Sequence, residues 1–128
     1  MIFVDSSFII AMVVEKDQWH KQALPKIDKL TKEEKVITEA MILESINMIG
    51  KCKGGKIGRT IFKYIEDNYR IYKSSDFLKR SMEEFIKYDG TLSLADCTAI
   101  ITMNDLGIYE IFSFDDHFDK VNGIVRVS

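Results

Sequence analysis

The chain opens with three apolar residues, "IFV", closed by Asp5, and after two serines the apolar pattern resumes in "FII". A short unalternating apolar run fits a buried strand. Ser6 or Ser7 then offers a cap for a helix reaching Val14. Helical spacing continues over residues 18–30, and "VIT" at 36–38 reads as a second strand. Thr38 can cap a helix in "EAMILESINMIG", which Gly50 is placed to stop. The glycine-rich residues 50–58 read as a flexible connection. Beyond it come a helix in "RTIFKYIEDNYR", a strand in "IYKS", and a helix in "DFLKRSMEEFIKY" closed by Asp89 and Gly90. Ser93 caps a helix that ends at Gly107, and "YEIFSF" and "GIVRV" complete the set as strands. Strands alternating with helices predict an α/β fold, with a short, mostly parallel sheet flanked by helices.

Four acids stand out against this pattern. Asp5 ends the first strand and Asp115 lies just past "YEIFSF". Ligands of open α/β sheets bind outside the carboxyl ends of strands, so two acids there can meet if their strands are neighbours. Glu44 has Ala40, Met41, Asn47 and Met48 around it at helical spacing, which predicts that it faces the protein. Asp96 shares a stripe with Ala99, Ile100 and Met103. An acid on a buried stripe costs several kcal/mol, as an order of magnitude, unless something compensates it. A hard divalent cation does so through carboxylate oxygen and water. Local explanations also stand: Asp5 as a helix cap, Asp96 in a capping box with Ser93, and Asp115 in a turn. Nothing nearby pairs with Glu44.

With 128 residues, 46% hydrophobic and 30% charged, the chain has the length of one ordinary domain spanning residues 1–128. No stretch is long and apolar enough to suggest a membrane span. Asp5 and Glu15 interrupt the start, so no secretory leader is expected and the protein reads as cytoplasmic. Cys52 and Cys97 form no metal-binding pair, and His20 and His117 are isolated. The net charge of −2 hides an asymmetry: residues 51–80 carry nine Lys/Arg against three acids. A basic segment on an otherwise acidic chain suits a polyanion.

The four acids also lie in segments with a family resemblance. "IFVDSSFII", "ITEAMILESINMI", "LSLADCTAI" and "IFSFDDHFDKV" resemble, in order and spacing, the four acidic motifs of PIN-domain ribonucleases, most closely VapC-type toxins of toxin–antitoxin pairs. The resemblance implies a Mg²⁺ site, with Mn²⁺ as the other candidate ion, held by Asp5, Glu44, Asp96 and Asp115. Ser7 and Ser113 would be supporting polar neighbours. Asp116 competes for the role of Asp115, which the spacing to Phe118 favours. It further implies an endoribonuclease, a small antitoxin partner and a homodimer.

On this reading Lys51, Lys53, Lys56 and Arg59 contact the RNA backbone, and Tyr64, Tyr69 and Tyr72 stack on its bases. Other readings are a free-standing RNA-processing nuclease, a receiver-like signalling domain and a non-catalytic interaction module. The receiver-like reading lacks the acidic pair after the first strand and the late lysine it would need.

Overall fold

The computed structural model describes residues Met1–Ser128. Five three-residue strands, β1 (Ile2–Val4), β2 (Lys35–Ile37), β3 (Tyr69–Ile71), β4 (Glu110–Phe112) and β5 (Val125–Val127), form one sheet in the order β3-β2-β1-β4-β5. Every neighbouring pair is parallel. Parallel neighbours need long crossovers, which helices usually supply. Here α1 (Ser6–Val13), α2 (His20–Ala23) and α3 (Ile27–Lys32) join β1 to β2. Next, α4 (Glu39–Lys53) and α5 (Gly55–Asn68) join β2 to β3, and α6 (Phe77–Lys87) and α7 (Leu94–Leu106) join β3 to β4. The observed class is thus the α/β one expected from the alternation of elements.

The strand order places the site. The chain winds outward from β1 through β2 to β3, then returns to lay β4 on the other side of β1. This reversal opens a crevice between the carboxyl ends of β1 and β4. Register fixes the two strands closely: Val4 stands opposite Phe112, and the Asp5 N–H donates to the Phe112 carbonyl at 3.0 Å. β1 is fully buried, as a strand covered on both faces should be. Phe3, Phe8, Phe112 and Phe118 are the largest sealed side chains around it.

In α7, residues 96–103 are all buried, so the helix has no solvent face along that stretch. It packs against α6 and α4, and the Thr38 and Thr98 hydroxyls meet at 2.9 Å to tie α7 to the start of α4. Its start and stop are those read from sequence, a Ser93 capping box and Gly107 in the left-handed region.

Several expectations need correction. The helix read over residues 18–30 is broken into α2, a short 3₁₀ turn at Leu24–Lys26, and α3. Pro25 lacks the N–H that would continue an α-helix. The cap of α1 is Asp5 rather than a serine, and its side chain makes no capping bond. The third strand is Tyr69–Ile71, two residues earlier than expected.

Gly50 does not stop its helix. α4 continues to Lys53, and the turn falls at Gly54 (φ 92°, ψ 163°), so the expected flexible connection shrinks to one residue. That backbone region is open essentially to glycine alone, so Gly54→Ala should destabilise the protein by about 1–3 kcal/mol. A Cβ on helical Gly50 meets nothing within 4 Å. Gly50→Ala should therefore stabilise by about 0.5–1 kcal/mol. Urea denaturation of the two variants tests this, and shifts of the same sign would contradict it.

Candidate active site

Asp5 leaves the end of β1 with only 2% of its surface exposed. Two hydroxyls hold it: Ser7 Oγ donates to Asp5 Oδ2 at 2.6 Å and Ser113 Oγ donates to the same oxygen at 2.7 Å. The Asp115 N–H donates to Ser113 Oγ at 3.0 Å, and the Phe114 N–H to Ser7 Oγ at 3.0 Å. The two serines therefore lock the loop after β4 against the start of α1. Ser7 and Ser113 are the polar neighbours expected from the sequence, and the structure places both beside Asp5.

Asp96 sits in the first turn of α7, where its Oδ2 accepts from the Ser93 N–H at 3.1 Å. Its local capping explanation is thus real. Asp115 Oδ1 accepts from the His117 N–H at 2.9 Å, and the His117 ring Nδ1 stands 2.9 Å from that same oxygen. Glu44 Oε1 accepts a long bond from Ser6 Oγ at 3.4 Å. All four acids line one cavity of about 360 Å³ at the crevice, walled by polar residues and Gly90. Each carboxylate is oriented by at least one protein donor: Asp5 by Ser7 and Ser113, Asp96 by Ser93, Asp115 by His117 and Glu44 by Ser6.

Glu44 corrects one expectation. It is exposed rather than facing the protein, as are its neighbours Leu43 and Met48. The packed stripe of α4 is Met41, Ile42, Ser45 and Ile49, which leaves Glu44 on the flank that overlooks the cavity.

Electrostatics follow from this crowding. Burial pushes the Asp5 carboxyl upward, against the pull of its two serine donors, and Asp115 adds to the rise. Asp96 is pushed up to about 7, by desolvation first and then by the Asp5 charge. Glu44 is raised by desolvation and by Asp5 and Asp115. Like charges brought together out of water behave in this way unless a cation joins them. The four side chains offer hard carboxylate oxygen throughout, which suits Mg²⁺ or Mn²⁺ rather than a thiophilic ion.

Some neighbours were not foreseen. Ser6 and His117 line the cavity. The ligand atoms of Asp115, Asp116 and His117 all lie within 4.8 Å of one another. His117 is isolated in sequence, and only the tight 3₁₀ turn at Asp116–Lys120 folds it back on Asp115.

The basic residues divide. Lys51 lies seven residues beyond Glu44, on the same helical stripe and about 10 Å along the axis. Lys56 and Arg59 are exposed at the start of α5. Lys53 is already engaged, its Nζ 2.7 Å from both carboxylate oxygens of Glu15. Of the tyrosines, Tyr69 is buried at the amino end of β3, the sheet end opposite the acids, so it cannot stack on a base. The Tyr72 hydroxyl donates to Asp105, which Arg80 also grips through two bonds of 2.7 and 2.8 Å.

The fold and this crevice define a class: parallel α/β domains that gather carboxylates at the point where the strand order reverses. The chain belongs to the PIN domain family, whose pattern it matches over residues 2–124. Among solved structures it is similar to the Mycobacterium tuberculosis toxin VapC20, described as cleaving the sarcin-ricin loop. That similarity has a TM-score of 0.87 at 21% identity, covering 99% of this chain and 98% of that one. It also resembles a chain of a Klebsiella pneumoniae toxin–antitoxin complex (TM-score 0.68, 20% identity, 98% and 96% covered). A third likeness is to VapBC2 of Rickettsia felis bound to a promoter DNA fragment (TM-score 0.71, 10% identity, 99% and 98% covered). No curated protein matches the chain in sequence. Family membership displaces the receiver-like reading.

Proposed function

We propose that the protein is a metal-dependent endoribonuclease, with Asp5, Glu44, Asp96 and Asp115 as the ligands of Mg²⁺ or Mn²⁺. The observation that carries this is the single polar cavity that all four carboxylates line, each oriented by a neighbouring donor of the protein. When bound, the ion supplies a Lewis acid that neutralises charge on a phosphodiester undergoing displacement. The chain's own residues do the rest. Ser7 and Ser113 hold Asp5 in one orientation, and Ser113 also orients the Asp115 main chain. The rigid β1–β4 pair keeps these acids in place without reorganisation. Lys51, Lys56 and Arg59 draw in the RNA backbone.

A direct assay tests the reading. Structured RNA is incubated with protein and Mg²⁺, with and without excess chelator, and beside Asp96→Asn. Cleavage should require the ion and the acid; cleavage indifferent to both would sink the proposal. The triple variant Lys51→Ala, Lys56→Ala, Arg59→Ala should weaken RNA binding. It should also lower the slope of log affinity against log salt by about 2–3. An unchanged slope would remove these residues from the interface.

The same likeness to toxins and toxin–antitoxin complexes supports a toxin role, with a small antitoxin as partner. Leu43, Leu78 and Ile86 are exposed by 66%, 65% and 72%, which leaves apolar surface for a partner or for a second copy in a homodimer. Co-expression with the product of a neighbouring gene encoding a short DNA-binding protein should yield a stable complex with suppressed cleavage.

A further inference from the structure

A second cavity, of about 530 Å³, shares Asp115 with the acidic one. Trp19 and Phe114 form its aromatic wall, and Gln18, Gln22, Asp116 and Arg126 stand around it. The wall is the outer end of a ring ladder. Phe8 and Phe114 lie parallel, 5.2 Å between centroids at 1°, and Phe114 and Trp19 follow at 5.4 Å and 4°. Phe8 is sealed in the core, whereas Phe114 and Trp19 are half-buried. The offset spacing is that of stable aromatic stacking.

The cavity is held in shape before any ligand arrives. The Trp19 main-chain N–H donates to Asp17 Oδ2 at 3.0 Å, and the next residue, His20, holds its Nδ1 2.6 Å from the Ala11 carbonyl. Arg126 donates to both Asp119 oxygens at 2.9 and 3.1 Å and to the Ser113 carbonyl at 3.3 Å.

Asp115 and Asp116 at its edge disfavour a phosphate, and the Arg126 charge is already met by Asp119, so the cavity suits a group that is flat, uncharged and able to hydrogen-bond along its rim. A nucleobase has those properties. Its face stacks on aromatic rings regardless of sequence, and its edge mixes donors with acceptors as glutamine amides do. A nucleotide whose phosphate lies at the four acids has this cavity beside it, across Asp115.

We propose that the second cavity binds an unpaired nucleobase next to the scissile phosphate, with the outer face of Trp19 as stacking platform, backed by Phe114, and Gln18 and Gln22 reading the base edge. This rests on the nuclease reading and adds a site of base selection to it.

Trp19 is the chain's sole tryptophan, so its emission reports directly on that wall. Wild-type protein in excess chelator is titrated with five-residue oligoribonucleotides of A, C or U, and with a pentamer of abasic ribose phosphates. At least one base-bearing oligomer should change the emission saturably and the abasic pentamer should not. In the double variant Gln18→Ala, Gln22→Ala that oligomer should bind at least about fivefold more weakly. In Mg²⁺ the same variant should cut a structured RNA at altered positions, with its melting temperature unchanged. Emission that ignores every base-bearing oligomer, or responds equally to the abasic one, overturns the proposal. Cleavage by the wild type in that case leaves the nuclease reading standing. Absence of Mg²⁺-dependent cleavage sinks the nuclease reading whatever the emission does.

Discussion

Asp5→Asn should reduce RNA cleavage by at least about a hundredfold while raising the melting temperature of the metal-free protein by several degrees. The two effects share one cause. Asn can keep its carbonyl oxygen where Ser7 and Ser113 donate, so the local hydrogen bonds survive. What it removes is a buried charge that repels Asp115 and raises both Asp96 and Glu44. Without a cation this charge is a burden; with one it is a ligand. The stabilisation gained on adding Mg²⁺ should therefore shrink in the variant, since ligand linkage weakens with affinity. Melting curves with chelator and with Mg²⁺, beside a cleavage time course, check all three. Lost cleavage with a lower melting temperature would mean a folding defect instead.

The metal-free protein should also become more stable on acidification from pH 8 to pH 5. Asp96 is held at about 7 against an ordinary 3.8, and Asp5 and Glu44 are raised as well. Between the ordinary and the raised values the folded state binds protons that the unfolded state does not. Stability thus falls as pH rises through that window and is regained on acidification, by a total on the order of a few kcal/mol. Below about pH 4 the trend should reverse. Asp105, drawn down to about 2 chiefly by its hydrogen bond from Arg80, then loses its favourable charge. Saturating Mg²⁺ should flatten the curve at neutral pH, because a bound ion holds the carboxylates ionised and competes with protons. Urea denaturation at stepped pH, with chelator and with Mg²⁺, measures this. A chelator curve that is flat or rises with pH from 5 to 8 would show that these acids do not crowd one another.

What could be read from the sequence was what neighbouring residues settle among themselves. "IFV" before Asp5 and the Ser93 and Gly107 signals around α7 needed no tertiary information, and the structure has them there. Glu44 stood out because no local partner explained it, but its orientation depends on which α4 stripe packs, and that lies outside the local pattern. Gly50 and Gly54 illustrate the same limit. Both are plausible stops by residue type, and only the backbone angle tells them apart. His117 and the Trp19 wall were out of reach for a different reason. Trp19 and Phe114 are 95 positions apart and meet only because β4 returns to lie beside β1.

That return has a consequence for synthesis on the ribosome. Asp5 is among the first residues made, but its strand neighbour β4 and its donor Ser113 are among the last. A nascent chain that has paired only β1, β2 and β3 holds two of the four acids and lacks Ser113, one of the two serines that orient the first. The crevice can close only when nearly the whole polypeptide has emerged, and such long-range pairing is slow relative to local helix formation. On the proposed function, activity is thereby withheld from truncated and unfinished chains. For an enzyme proposed to cut RNA inside the cell that makes it, the delay is a safeguard written into strand order alone.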